Sequence, residues 1–116
     1  MLGCDIIEIS RIASSISKFG YSFLHHILSD NEIALYNNKG KKAEFVSGRF
    51  AAKEAVSKAL GTGVGRGYAF TDIEILPDEL GKPWVYLKGE RAENIEVSIS
   101  HSRDNAIAVC LIKEDL

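Results

Sequence analysis

The segment AEFVSGRFAAKEAVSKAL, residues 43–60, does most to limit what this chain can fold into. Phe45, Ala52, Ala55, Val56 and Ala59 recur at helical spacing along one face, and Gly61 follows as a natural C-terminal cap. This is the longest helix the sequence predicts, so the remaining elements must be arranged around it. Before it, LGCDII at 2–7 predicts a short strand. Ile9, Ile12, Ala13 and Ile16 then mark a helix that ends at Gly20. A second helical stretch covers about 21–28. Ser29 followed three residues later by Glu32 forms a capping box that opens a helix reaching about Tyr36. NNKGKK at 37–42 is a polar, basic turn.

After the long helix the pattern changes. GTGVGRG at 61–67 is a glycine-rich loop, and strands are expected at about 71–76, 84–88, 95–100 and 105–112. PDELGKP at 77–83 has the composition of a hairpin turn. The final strand is apolar on both faces, which predicts a central position. One strand, then helices, then a run of strands indicates an α+β fold with a largely antiparallel sheet, not an alternating doubly wound one.

The 116 residues predict a single domain spanning 1–116. A hydrophobic fraction of 46% and a charged fraction of 26% belong to an ordinary globular protein. The net charge of −2, with no run of one sign, argues against nucleic-acid binding, which needs a basic excess. No stretch reaches the ~18 apolar residues of a membrane helix. The expected location is cytoplasmic. Cys4 and Cys110 lie in apolar strand-like runs and read as free thiols.

Five places are candidates for chemistry. Asp5 is flanked by apolar residues, so its carboxylate is expected to be partly buried and paired or metal-bound. Capping the following helix is the simpler role. Glu54 and Lys58 lie four apart on the long helix and share a face. They read either as an exposed ion pair, in the favoured Glu-before-Lys order, or as a metal ligand with a phosphate contact. Magnesium takes one or two carboxylates together with substrate phosphates and water, and Asp5 with Glu54 would supply them if the first strand packs beside the helix. The glycine-rich loop suits phosphate but matches neither a dinucleotide fingerprint nor a P-loop, and reads equally as a connector. In SISHS at 98–102, His101 ends a strand, and without a GxSxG turn it reads as a surface residue or a ligand contact. Adjacent His25 and His26 diverge by ~100° on a helix and make a poor metal pair.

Together, GRFAAKEAVSKALGTGVG (48–65), GCDIIEISRI (3–12) and SISHSRDNA (98–106) resemble the holo-acyl-carrier-protein synthase family of phosphopantetheinyl transferases, over nearly the whole chain. The resemblance implies transfer of phosphopantetheine from coenzyme A to a serine of an acyl carrier protein, releasing adenosine 3′,5′-bisphosphate, as part of fatty acid biosynthesis. It makes Asp5 and Glu54 the magnesium ligands and Lys58 a contact to the coenzyme A phosphates, with Glu54 the nearest base for the serine proton. Arg49, Gly61, Gly63, Pro83, His101 and Ser102 become further coenzyme A contacts. It also implies a homotrimer with active sites between chains. Where the family usually carries an arginine for carrier docking, this chain has His26; Arg11 keeps the other basic position. The competing readings are a non-catalytic nucleotide binder, which has no need of both Asp5 and Glu54, and a purely structural protein with a Glu54–Lys58 surface pair.

Overall fold

The computed structural model describes residues 1–61 and 67–113. The elements follow the order β1 (Leu2–Glu8), α1 (Ile9–Phe19), α2 (Tyr21–Ile27), α3 (Asp30–Asn38) and α4 (Ala43–Leu60). A 3₁₀ turn at Phe70–Asp72 leads to β2 (Ile73–Pro77), β3 (Pro83–Leu87), β4 (Glu90–Arg91), β5 (Ile95–His101) and β6 (Asn105–Ile112). The strands form two three-stranded antiparallel sheets, ordered β1–β6–β5 and β2–β3–β4, against the long helix α4. The α+β architecture and the central place of the last strand hold.

Two details differ from expectation. The strand placed at 71–76 begins at Ile73, because Phe70–Asp72 close a 3₁₀ turn first. The short β4 was not foreseen. It exists because Lys88 and Gly89 both take positive φ, 48° and 86°, which makes a tight two-residue hairpin from β3.

Helix α4 is buried almost all round, not on one face. Val46, Ala51, Ala52, Ala55 and Val56 are fully enclosed, and Ser47, Gly48 and Ser57 are buried with them. Its small side chains let the sheet come close. A Cβ added at Gly3 of β1 would overlap the Ala55 carbonyl oxygen and stand 2.8 Å from the Ala59 nitrogen. A Cβ added at Gly48 would stand 2.9 Å from the Ile99 side chain, at Cγ2.

The two faces of the β1–β6–β5 sheet have opposite fates. Gly3, Ala106, Ala108 and Cys110 are buried toward α4. On the other face, Leu2 pairs with Leu111, Cys4 with Val109 and Ile6 with Ile107, and all six are exposed. Cys4 and Cys110 are free and sit on opposite faces. Among the described residues no helix is long and apolar enough to cross a membrane.

Candidate active site

Strand alternation decides where Asp5 goes. Gly3, Asp5 and Ile7 share the inner side of β1, so the Asp5 side chain turns toward α4. The residue it meets is Lys58. The Lys58 ammonium donates to Asp5 Oδ1 at 3.0 Å and to the Cys4 carbonyl at 3.1 Å. Both simpler roles therefore fail. Glu8 occupies the N-cap of α1 and makes no side-chain cap bond. Lys58 is paired with Asp5, not with Glu54.

Glu54, one turn earlier on α4, has no ion-pair partner among the described residues. Burial raises its pKa above the ordinary 4.5, the Asp5 charge raises it further, and Lys58 partly offsets both. The Lys58 pKa is raised in turn, first by its hydrogen bond to Asp5. Two carboxylates that repel one another, already attracting one cation, form a hard-oxygen donor pair. No group of three or more His, Cys, Asp or Glu suited to a metal occurs among the described residues. The pair thus fits a cation whose other ligands come from substrate and water, as magnesium's commonly do.

A second group of predicted residues gathers elsewhere. Arg49, Pro83 and His101 line a cleft of about 550 Å³ that also contains Gly81 of the GKP turn. Lys39 and Lys42 from the basic NNKGKK turn join it, so that with Arg49 its lining carries three cations against the carboxylate of Glu44. The sequence reading gave these lysines no role, although the charge of that turn was a visible signal. Arg49 is held at its root: Nε donates to the Ile75 carbonyl at 3.1 Å, and the guanidinium lies 4.5 Å from the centre of the Phe45 ring. Ser102 does not line the cleft; its N–H caps the turn to Asn105. Gly61 ends α4 in the left-handed conformation, φ 79°. Gly63 lies outside the described residues.

Asp5, Glu54 and Lys58 do not line this cleft. Arg49 and Glu54 are five positions apart on α4, which turns them ~140° from each other. One chain therefore carries two separate parts of the predicted site.

A fully buried ion pair was not legible in the sequence. Lys53 and Glu32 are both fully buried and meet at 2.6 Å. The capping box of Ser29 and Glu32 forms as expected, but the same Glu32 carboxylate also reaches inward to α4 and β2. A lysine inside an alanine run was the only available sign.

The long helix thus carries Glu54 and Lys58, and Lys58 meets the strand carboxylate Asp5. Residues 1–110 match the family model of the 4′-phosphopantetheinyl transferase superfamily. The chain is 45% identical over 113 residues to the holo-[acyl-carrier-protein] synthase of Chlorobaculum tepidum, covering 97% of each protein. It is 48% identical over 119 residues to that of Clostridium beijerinckii, covering 97% of this chain and 95% of the relative. The fold superposes on the crystal structure of the Helicobacter pylori synthase in complex with coenzyme A with a TM-score of 0.84, at 34% identity, over 97% of this chain and 100% of that one. For the Bacillus anthracis synthase in complex with coenzyme A (3′,5′-ADP) the TM-score is 0.85 at 41% identity, over 98% and 96% of the two chains. The chain belongs to the holo-[acyl-carrier-protein] synthase family.

Proposed function

We infer that this chain transfers phosphopantetheine from coenzyme A to a serine of apo acyl carrier protein, in fatty acid biosynthesis in the cytoplasm, and that Asp5 and Glu54 hold a magnesium ion for the reaction. The observation that carries the metal assignment is the Asp5–Glu54–Lys58 cluster, in which a carboxylate with no ion-pair partner among the described residues stands beside one already drawing a cation. When bound, magnesium neutralises the pyrophosphate of coenzyme A.

The serine oxygen bonds to the phosphorus carrying pantetheine as the bond to adenosine 3′,5′-bisphosphate breaks. Glu54 takes the serine proton, directly or through a water, as the nearest base in the cluster. Lys58 holds negative charge on the phosphates as a point charge. The half-exposed position of its side chain, 53%, leaves it free to turn from Asp5 toward substrate. The cleft lined by Lys39, Lys42, Arg49 and His101 takes the adenosine bisphosphate end, with Pro83 on its wall. Gly61, Gly63 and Ser102 are assigned as coenzyme A contacts from the family resemblance.

The separation of the two parts supports a homotrimer, with the cleft of one chain completing the metal pair of the next. The exposed Leu2, Ile6, Ile107, Val109 and Leu111 supply an apolar face to bury. Exposed Arg11 and His26 belong to the carrier docking surface. Because arginine brings a fixed charge and a fork of donors suited to carboxylates, His26→Arg tightens carrier binding near neutral pH; an unchanged carrier KM contradicts this. The metal assignment is tested by Glu54→Gln, which keeps the fold and loses nearly all turnover. Near wild-type turnover removes Glu54 from the mechanism.

A further inference from the structure

Lys53 immediately precedes Glu54, and its ammonium is wholly enclosed. It donates to the Ile27 carbonyl at the end of α2 and to Glu32 Oε1, both at 2.6 Å. Glu32 is equally buried. It also accepts from the Ser29 N–H at 3.0 Å and from the Ile75 N–H of β2 at 2.9 Å. Arg49, one helical turn before Lys53, brings its Nε to 3.9 Å from Glu32 Oε2. One face of α4 is thus fastened at two points to a carboxylate that is itself fixed to the α2–α3 junction and to β2.

Net stability does not account for this arrangement. Desolvating two charges offsets most of their attraction, and well-packed apolar substitutes for a buried pair are often neutral or stabilising. Position accounts for it better. The remaining core side chains of α4 are mostly alanine, glycine and serine. Side chains this short present shallow ridges to their neighbours and resist rotation of the helix weakly. At ~5–6 Å from the helix axis, a rotation of ~20° carries a side-chain tip about 2 Å. That is a full magnesium–oxygen bond length, and magnesium tolerates little departure from octahedral geometry.

We propose that the Lys53–Glu32 pair is a positioning device that sets the rotation of α4 and thereby holds Glu54 opposite Asp5. This rests on the reading of Asp5 and Glu54 as the metal carboxylates.

The test measures Mn²⁺ binding directly, by the loss of the free-ion electron paramagnetic resonance signal, alongside kcat and KM. The protein is compared with Glu54→Gln, with Glu32→Gln, and with the double variant Lys53→Met/Glu32→Gln. The double variant removes both members of the enclosed pair; Arg49 keeps the Ile75 carbonyl as acceptor, and the glutamine oxygen serves one of the Ser29 and Ile75 N–H groups, which the carboxylate accepts through separate oxygens. The expected result is a folded double variant by near-ultraviolet circular dichroism, with Mn²⁺ affinity and kcat each lowered about 10- to 100-fold. Its KM for coenzyme A rises as well, because Arg49 and Lys58 are carried on the same helix and Arg49 loses its contact with Glu32. Wild-type Mn²⁺ affinity and kcat in a folded double variant overturn the proposal. So does failure of both Glu32 variants to fold, which assigns the pair to stability alone. If the unsubstituted protein and Glu54→Gln bind Mn²⁺ equally, the metal reading itself fails and this proposal falls with it.

Discussion

Lys58 donates to Asp5 at 3.0 Å across the junction of α4 and β1, and leaves Glu54, one turn earlier on its own helix, without an ion-pair partner among the described residues. An i,i+4 pair between Glu54 and Lys58 would have been worth a few tenths of a kcal/mol on an exposed helix. The strand carboxylate wins because the Cys4 carbonyl beside it offers the ammonium a second acceptor at 3.1 Å.

Lys58→Met tests the two parts that Lys58 plays. The side chain is half exposed, so the fold tolerates the change. Loss of a charge that stabilises the transferring phosphoryl group lowers kcat/KM by about 100-fold or more. Steady-state kinetics with coenzyme A as the varied substrate checks this, and a change below threefold contradicts it.

The raised pKa of Glu54 has a consequence for stability without metal. The folded protein binds the Glu54 proton more tightly than the unfolded chain, whose value is near 4.5. Stability therefore falls as pH rises from that value through the folded pKa, and the loss persists at neutral pH. In chelator-treated protein, Glu54→Gln melts at or above the wild-type temperature at pH 7. The difference shrinks as pH falls toward 4.5, where wild-type Glu54 is itself taking up a proton. Thermal denaturation at several pH values decides it. A variant less stable at pH 7 contradicts the electrostatic argument.

Gly3→Ala attacks the approach of β1 to α4. The added methyl meets the Ala55 carbonyl and the Ala59 nitrogen, which are backbone atoms and cannot swing away. The expected cost is about 1–3 kcal/mol of stability, together with loss of turnover, because β1 carries Asp5. Denaturant titration and activity on the same sample check both.

Val109→Lys places a charge in the middle of the exposed apolar face formed with Cys4 on β1. If that face is buried between chains, sedimentation shifts from trimer to monomer and activity is lost while the secondary structure is kept. An unchanged sedimentation coefficient removes this face from the assembly.

Local signals were legible in the sequence. The bounds of α4, the Ser29–Glu32 capping box and the central place of the last strand rest on spacing, capping chemistry and strand hydrophobicity, all of which act over a few residues. Asp5, Glu54 and Lys58 were singled out as residues, but their meeting was not readable, since Asp5 and Lys58 are 53 positions apart. Lys53 was missed for the same reason. Its partner Glu32 had already been given a local role as a cap, and nothing in the sequence says that one carboxylate serves both. The split of the cleft from the carboxylates follows from the 3.6-residue turn of α4 and from packing that a single pattern does not encode.

The most direct measurement of the central claim is the mass of an apo acyl carrier protein after incubation with this protein, coenzyme A and magnesium, with and without a chelator. A gain of one phosphopantetheine that the chelator abolishes, and that Glu54→Gln fails to produce, is the predicted result. A carrier mass unchanged across several carriers, with coenzyme A still bound to the protein, contradicts the assignment and leaves a non-catalytic coenzyme A binder.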